Sequence, residues 1–160
     1  MKKRSVSCTW SEIDERTDLP DDILKLIQAA ETAIENSYAP YSKFRVGAAA
    51  KMADGSLVFG SNMENASFPL CICAEKSCVT NAENNKHGII LESMAITAKH
   101  PTRIIDHPIS PCGSCRQILV EKEQRQGAPI AVYLFGQTGP IWHFDSAEAF
   151  LPLPFDSNEL

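Results

Sequence analysis

The sequence predicts an α/β fold built on a single mixed sheet. Helical and strand-like patterns alternate along the chain in the order α-β-β-α-β-α-β-β, and such alternation favours a sheet flanked by helices. The chain has 160 residues, of which 44% are apolar and 22% are charged, as is usual for one globular domain with a sizeable core. We therefore expect five strands in one mixed sheet, with helices packed against it.

The N-terminal segment differs in character from the helix that follows it. Residues 1–20 are polar and mixed in charge, so we interpret them as an N-terminal arm, flexible or wrapped on the surface, before a single domain at 21–160. Trp10 and Ile13 are the residues of this arm that we expect to attach it to the body. From Asp21 to Ser37 apolar residues recur at helical spacing, which predicts an amphipathic helix.

Two strands joined by a tight turn are expected after this helix. Residues 44–53 form a strand-like stretch whose centre, Gly47 to Ala50, contains only small side chains. Such a stretch indicates that a neighbouring element or subunit packs very close to the strand. Asp54-Gly55 is a strong hairpin-turn signal, and 57–60 returns as the second strand.

The remaining elements place two cysteine-containing stretches at points where a loop enters a helix. We expect helices at 73–85 and 112–125, strands at 89–98, 129–135 and 141–144, and a short helix to about Phe150 that is capped by Ser146.

The overall charge argues for a small substrate. The net charge is −5, whereas a protein that follows a phosphate backbone carries a basic patch. No apolar run is long enough to span a membrane, and no apolar stretch of a signal peptide follows the basic residues 2–4. We expect a cytoplasmic protein with reduced cysteines that acts on a small uncharged molecule, binds no nucleic acid polymer and contacts no membrane.

A cysteine-and-glutamate motif carries the candidate chemistry. Cys112 and Cys115 form a C-x-x-C pair, Cys73 lies upstream, and Glu75 follows Cys73 by two positions. Three thiolates leave one position of a tetrahedral zinc open for water, and Glu75 is placed to move protons without binding the metal. This combination is typical of zinc-dependent nucleobase deaminases. The C-x-x-C pair by itself would equally suit a redox site or a structural zinc site.

Two cations next to the motif are candidates for charge compensation. Zinc with three thiolates has a formal charge of −1, which would make a bound water a weaker acid. Lys76 and Arg116 directly follow the two stretches and could offset that charge. We interpret the other three cysteines and the four histidines as ordinary core or surface residues: Cys8, Cys71, Cys78, His87, His100, His107 and His143.

Six motifs in order carry a wider resemblance, which runs from about Tyr38 to the C-terminus. They are Ala39-Pro40-Tyr41-Ser42, Phe44-x-Val46-Gly47-Ala48-Ala49, Asn62-x-Glu64-Asn65-Ala66, Ile72-Cys73-Ala74-Glu75, Ser110-Pro111-Cys112-Gly113-x-Cys115-Arg116-Gln117 and Leu151-Pro152-x-x-Phe155. With these motifs the chain closely resembles the homotetrameric cytidine deaminases of the cytidine and deoxycytidylate deaminase family. The resemblance implies a three-layer α/β/α sandwich and a homotetramer with shared active sites.

The resemblance also implies a role for each matching residue. Cys73, Cys112 and Cys115 would bind one Zn2+ per subunit, hydroxide formed on the zinc would attack C4 of the base, and Glu75 would shuttle protons. Phe44 would pack on the pyrimidine, the Ala74 N–H would donate to the base carbonyl, and the Ser110 carbonyl would accept from the amino group. Asn62 and Glu64 would bind the ribose 3′-hydroxyl. Ala66 would also contact the substrate, and Phe155 would reach into the site of a neighbouring subunit. The implied reaction converts cytidine and 2′-deoxycytidine to uridine and 2′-deoxyuridine with release of ammonia, in pyrimidine salvage.

This chain departs from the family pattern at two positions inside the motifs. Lys76 stands where the family usually has Arg, and a lysine is a point charge that cannot hydrogen-bond two thiolates at once as arginine can. Phe68 stands where many members have Tyr. Two rival functions stay open at this stage. One is a deaminase for a nucleoside antibiotic or another amino-heterocycle, and the other is a structural zinc or redox protein.

Overall fold

A computed structural model describes residues 1–156 of the chain as one mixed sheet with helices packed on it. The helices are α1 (Asp21–Ala33), α2 (Ala74–Asn85) and α3 (Gly113–Gln126), and the strands are β1 (Ser11–Ile13), β2 (Arg45–Met52), β3 (Leu57–Ser61), β4 (Leu91–Lys99), β5 (Ala131–Phe135) and β6 (Ile141–Phe144). Short 3-10 helices at Ile34–Asn36 and Ala147–Phe150 extend α1 and precede the tail. The predicted helices and the five predicted strands are therefore all present, with bounds that differ by a few residues.

The sheet has six strands, so the expectation of five is wrong. Its order is β1-β6-β5-β4-β2-β3; β4 and β5 run parallel, and the other neighbouring pairs run antiparallel. The additional strand, β1, lies in the segment expected to be an arm, and it pairs with β6 through Ile13 opposite Ile141. Three residues with the sequence Ser-Glu-Ile are too few to show the alternation that identifies a strand.

An aromatic contact and a hydrogen bond fasten this extra strand to the sheet. The ring centroids of Trp10 and Trp142 lie 5.2 Å apart, and the Trp142 indole N–H donates to the Glu12 carboxylate over 2.7 Å. The expected attachment of the N-terminal segment through Trp10 and Ile13 is confirmed by these contacts. Because β1 covers the free edge of β6, it also removes a row of unpaired backbone groups from the surface.

Each face of the sheet has its own apolar cluster. Ala49 of β2 and Ala95 of β4 pack with Ile27 of α1 on one face. The alternate residues of the same strands pack on the other face with α2 and α3, in a cluster that includes Ala48, Ala50, Met94, Ile96, Cys78, Val79 and Leu119. Since successive side chains of a strand point to opposite faces, α1 lies on one side of the sheet and α2 and α3 lie on the other.

Two glycines allow helices to approach the sheet closely. A Cβ atom at Gly47 would collide with the carbonyl oxygen of Ala30 in α1, and one at Gly60 would collide with that of Ala74 in α2. The small-residue stretch of β2 therefore does pack against a neighbouring element, which is α1. Gly60 fixes the position of the first turn of α2, where Cys73 and Glu75 lie. Among residues 1–156, no helix combines the length and apolarity needed to cross a membrane.

Candidate active site

Three cysteines from distant parts of the chain converge at two helix N-termini. Cys73 directly precedes α2, Cys112 directly precedes α3, and Cys115 lies in the first turn of α3. Their Sγ atoms all lie within 4.8 Å of one another, and those of Cys73 and Cys112 are 3.9 Å apart. Two sulfurs held tetrahedrally about 2.3 Å from a zinc ion lie roughly 3.8 Å apart. The cluster therefore fits a tetrahedral zinc with three thiolate ligands.

The surroundings favour the thiolate form of one ligand, Cys73. The pKa of Cys73 falls to about 6, mainly because the Cys115 thiol donates a hydrogen bond to it, with smaller contributions from Cys112 and the charge of Lys76. Burial and the carboxylate of Glu75 oppose this shift. The pKa of Cys115 is raised, mainly by the same hydrogen bond to Cys73. Two helix N-termini, each equivalent to roughly half a positive charge, further suit a site that must hold negative sulfur.

Glu75 is a buried carboxyl group beside the three sulfurs but outside their cluster. It lies in the first turn of α2 and is only 5% exposed. Burial raises its pKa above the ordinary glutamate value, while hydrogen bonds from its own backbone N–H and from Cys115 act in the opposite direction. Because burial stabilises the protonated form of Glu75, its carboxyl group is suited to both accept and donate a proton in general acid–base catalysis.

A cavity of about 320 Å³ extends from the cysteines to the loop before β2 and the segment after β3. Such a volume lies within the usual range for small-molecule sites. Its lining contains most of the residues predicted from the sequence: Phe44, Asn62, Glu64, Cys73, Ala74, Glu75, Ser110 and Cys112. Ser42, Val46, Met63, Cys71, Ile72 and Ile109 also line it, and none of these was predicted as a site residue.

Asn62 joins the segment after β3 to the start of β2. Its Oδ1 accepts hydrogen bonds from the Val46 N–H at 2.8 Å and from the Ser37 hydroxyl at 2.5 Å. Its Nδ2 donates to the carbonyl oxygen of Phe44 at 2.9 Å. Asn62 therefore holds the backbone on both sides of residue 45 while it also lines the cavity.

Glu64 holds the loop that carries Phe44. Its carboxylate accepts hydrogen bonds from the Tyr41 N–H at 2.9 Å, from the Ser42 N–H and from the Ser42 hydroxyl. The same Ser42 Oγ accepts from the Phe44 N–H at 3.0 Å. These bonds lower the pKa of Glu64, the Ser42 hydroxyl contributing most, so that the carboxylate stays ionised and offers only acceptors.

Lys43, between Ser42 and Phe44, has a φ of 60°, the left-handed conformation that few non-glycine residues adopt. This conformation brings the Phe44 N–H back onto the Ser42 hydroxyl. The roles of Ser42 and Ser37 were missed because a contact between positions 22 or 25 apart leaves no local signal in the sequence.

The two predicted charge-compensating residues occupy different environments. Lys76 is exposed on α2, and its charge lowers the pKa of Cys73. The guanidinium of Arg116 donates hydrogen bonds to the Pro111 carbonyl oxygen at 2.9 Å and to the Ser110 hydroxyl at 2.8 Å. Any effect of Arg116 on the sulfurs therefore acts through space, and its direct contacts stabilise the loop that precedes Cys112.

Two predicted substrate contacts lie outside the cavity of this chain. Ala66 is exposed and does not line it. Phe155 is 59% exposed, and its backbone forms two hydrogen bonds with the Gln117 side chain, one of them 2.6 Å long. The tail is therefore fastened to α3, and the Phe155 side chain is largely exposed and does not line the chain's own cavity.

The remaining cysteines and the histidines stay outside the metal cluster, as expected, within the part of the chain that the structure describes. Cys78 is fully buried, donates to the Val58 carbonyl oxygen, and has its pKa raised to about 12 by burial. Cys71 lines the cavity, but its sulfur contacts the backbone of Asn65. Cys8 is exposed.

The family comparison covers the region that holds this cluster. Residues 20–127 match the family model described as the cytidine and deoxycytidylate deaminase zinc-binding region. This range contains Cys73, Cys112 and Cys115, whose arrangement suits a metal ion. Zinc, one ion per subunit, is therefore the cofactor of the cluster.

Curated relatives and solved structures agree with the family match. The chain is 36% identical to a cytidine deaminase of Halalkalibacterium halodurans over 84% of this chain and 95% of the relative, and 34% identical to one of Sporosarcina psychrophila over 87% and 95%. The crystal structure of a cytidine deaminase from Burkholderia pseudomallei is similar with a TM-score of 0.71 and 38% identity, over 82% of this chain and 98% of that one. That of a Mycobacterium tuberculosis cytidine deaminase has a TM-score of 0.65 and 31% identity, over 86% and 99%. The chain belongs to the cytidine and deoxycytidylate deaminase family.

Proposed function

We propose that the chain catalyses the hydrolytic deamination of cytidine and 2′-deoxycytidine to uridine and 2′-deoxyuridine, with release of ammonia, as a step of pyrimidine salvage. This proposal rests mainly on one observation: a single cavity contains both the metal-binding cysteines with Glu75 and polar residues suited to a ribose. The buried carboxyl group of Glu75 lies beside three metal-binding sulfurs at one end, and Asn62 and Glu64 lie along the same cavity. The relatives named above are cytidine deaminases, which supports this substrate.

The metal end of the cavity, formed by Cys73, Glu75, Cys112 and Cys115, accounts for the chemistry. The three cysteines would hold zinc, which when bound lowers the pKa of a water molecule from about 15.7 to roughly 7 and so supplies hydroxide. Glu75 would accept the proton that this water loses and deliver it to the ring nitrogen of the base. It would then take the proton of the hydroxyl newly attached to C4 and pass it to the amine, which leaves as ammonia while C4 becomes a carbonyl. Its burial beside the cluster keeps the proton transfers out of bulk water.

Groups next to the metal end can hold the base. The N–H of Ala74 is one of the first N–H groups of α2, which have no partner inside the helix, and it is free to donate to the base carbonyl. The Ser110 carbonyl oxygen can accept from the amino group that is to be released. Phe44 lines the cavity and supplies an apolar surface for the pyrimidine ring.

The ribose end of the cavity, formed by Asn62 and Glu64, accounts for the choice of a nucleoside. The ionised Glu64 accepts a hydrogen bond from a ribose hydroxyl, and the Asn62 amide donates one. A carboxylate at this position would repel a phosphate on the 3′ carbon. The ribose end therefore suits the 3′-hydroxyl of an unphosphorylated ribose or deoxyribose.

The proposal extends to assembly and cellular location. We place the chain in the cytoplasm, as a three-layer α/β/α subunit of a homotetramer whose neighbours share active sites. Exposed aromatic side chains support this, because Phe68 is 71% exposed and meets the exposed Tyr41 edge-on. Phe155 is placed to reach a neighbouring subunit, because its ring is exposed while its backbone is fixed to Gln117. A mass in solution near four times 17.6 kDa is the expected result of light scattering.

The experiment that tests the proposal is a substrate panel with the zinc-loaded protein. Ultraviolet absorbance and ammonia release are followed with cytidine, deoxycytidine, deoxycytidine monophosphate and a blasticidin-like compound. We expect turnover of the first two and much weaker activity on the others. Zinc-loaded protein that turns over neither nucleoside would refute the proposal and favour a structural zinc site. A clear preference for the blasticidin-like compound would instead reassign the substrate within the same chemistry.

A further inference from the structure

The amide of Asn62 is held in one orientation by the backbone. The Val46 N–H can only donate a hydrogen bond, so the atom of Asn62 that faces it must be the oxygen. The Phe44 carbonyl can only accept, so the atom of Asn62 that faces it must be the nitrogen. The ambiguity that usually affects side-chain amides is therefore absent at this position.

Ser37 completes the set of hydrogen bonds to the amide oxygen. Its side chain is buried, with the residue only 5% exposed, and its hydroxyl lies 2.5 Å from Asn62 Oδ1, to which it must donate. Two further backbone bonds fix this arrangement: the Tyr38 N–H donates to the Asn62 carbonyl oxygen, and the Ser37 N–H donates to that of Ile34. Both acceptor positions of the amide oxygen are then occupied, by Val46 and Ser37.

The polar group that Asn62 can still offer to the cavity is a single N–H donor. One Nδ2 hydrogen is used by the Phe44 carbonyl, and no other hydrogen bond to this nitrogen occurs within residues 1–156. Glu64, on the same cavity, offers only acceptor oxygens. A ligand group that contacts both residues must accept from Asn62 and donate to Glu64, which is the behaviour of a hydroxyl group.

We propose that Ser37 is a positioning residue for substrate binding, which acts through Asn62 and makes the ribose end selective for a hydroxyl group. The inference rests on the proposed function, because it assigns that hydroxyl to the ribose. Without the Ser37 hydroxyl, one acceptor position of Asn62 is free and the amide loses one of its three fixed partners. The orientation of its remaining N–H toward the ligand hydroxyl then becomes less well defined.

The test compares two substrates that differ in one hydroxyl group, cytidine and 3′-deoxycytidine, in a double-mutant cycle. In Ser37→Ala the ratio of kcat/KM for cytidine to that for 3′-deoxycytidine should fall by about 3- to 10-fold, the size expected for one ordinary hydrogen bond. Ser37→Thr, which keeps a hydroxyl, should restore most of the ratio. Zinc content should be equal in all of these proteins.

A neighbouring serine provides the matched control. Ser61 directly precedes Asn62, and its hydroxyl donates to the Ala33 carbonyl at 2.6 Å, so it makes a similar hydrogen bond without touching the Asn62 side chain. Ser61→Ala should leave the substrate ratio at the wild-type value. If Ser37→Ala fails to fold, Ser37→Cys keeps a side chain of similar shape with a weaker donor and should lower the ratio in the same direction.

Each outcome separates the two proposals. If Ser37→Ala lowers kcat/KM equally for both substrates, or leaves the ratio unchanged, Ser37 has only a structural role and the present inference is wrong while the proposed function stands. If the wild-type zinc-loaded protein does not deaminate cytidine, the proposed function is wrong, and the assignment of Ser37 is refuted with it.

Discussion

The metal end and the ribose end of the cavity obtain their geometry from the chain in different ways. At the metal end, Cys73 and Glu75 lie at the start of α2, and Cys112 and Cys115 lie at the start of α3, so helix geometry sets the arrangement within each pair. At the ribose end, Asn62 and Glu64 are held by loop segments 16 to 25 positions away, through hydrogen bonds to backbone and serine groups. The metal end therefore joins two locally defined pairs that the fold brings together, whereas each residue of the ribose end depends on contacts with remote segments.

This difference predicts different responses to substitution. Each side chain at the metal end has a separate chemical task, as a ligand or a proton carrier, so its loss should stop turnover. At the ribose end Asn62 and Glu64 each form several bonds, and their positions are secured by more than one partner. Single changes there should weaken binding in a graded way and leave the chemical step intact.

Loss of a zinc ligand should have the largest effect. We expect Cys112→Ser to lose bound zinc and with it all measurable turnover, because two thiolates remain where three are needed to hold the ion. Metal analysis after gel filtration measures the zinc. The matched variant is Cys71→Ser: its sulfur lines the same cavity but bonds to the Asn65 backbone, so this protein should retain zinc. Full zinc occupancy in Cys112→Ser would contradict the assigned ligand set.

Removal of the proton carrier should have the next largest effect. We expect Glu75→Gln to bind zinc normally and to lose activity by about 10²- to 10⁴-fold, the usual contribution of general acid–base catalysis. The loss should appear in kcat, since Glu75 lies outside the sulfur cluster. Metal analysis and steady-state kinetics on the same preparation separate the two effects. A variant that loses its zinc would show instead that Glu75 has a structural role at the metal end.

The same contrast explains how much of the site could be predicted from the sequence. The metal end could be predicted because two short spacings, from Cys73 to Glu75 and from Cys112 to Cys115, together match the pattern of zinc-dependent nucleobase deaminases. The spacings set the arrangement within each pair, and the known pattern indicated that the two pairs come together. The residues of the ribose end were identified only through their resemblance to a family. Their internal partners Ser37 and Ser42 could not be found in this way, since a contact between remote segments depends on the finished fold.

The fold shows the same division. The three helices and the five longer strands were all predicted, and their predicted bounds agree with the structure within a few residues. Strand β1 was missed because its three residues are held in place by pairing with the edge of β6 and by the contact between the rings of Trp10 and Trp142. Neither contact is visible in a short polar stretch of sequence.

At the ribose end, removing the charge of Glu64 should have a graded effect. Glu64→Gln keeps an oxygen that can accept from the Tyr41 N–H and an amide that can donate to Ser42 Oγ, so the loop should stay in place. The stronger, charge-assisted bond to a ligand hydroxyl is lost. We expect KM for cytidine to rise by roughly 10- to 100-fold with little change in kcat. An unchanged KM, or a loss confined to kcat, would contradict the contrast between the two ends.

The smallest effect should come from removing one partner of Glu64. The Ser42 hydroxyl is the main cause of the lowered pKa of Glu64, with smaller contributions from the Tyr41 and Ser42 N–H groups. Ser42→Ala should therefore move this pKa part of the way back toward the ordinary glutamate value. The carboxyl carbon shift of Glu64, followed by NMR in the zinc-loaded protein as the pH is lowered from 7, measures it. Glu83, whose pKa is lowered mainly by Lys122, is the internal reference and should titrate identically in both proteins.

The lowered pKa of Glu64 also determines how its contribution to folding stability changes at acid pH. Because folding lowers the pKa of Glu64, its contacts with the loop stabilise the folded state above the ordinary glutamate pKa, and this contribution is lost as the pH falls through the folded value. In Ser42→Ala this contribution should be smaller, and its loss should be complete at a higher pH than in the wild type. A Glu64 titration curve that is the same in both proteins would show that the backbone donors alone hold the carboxylate.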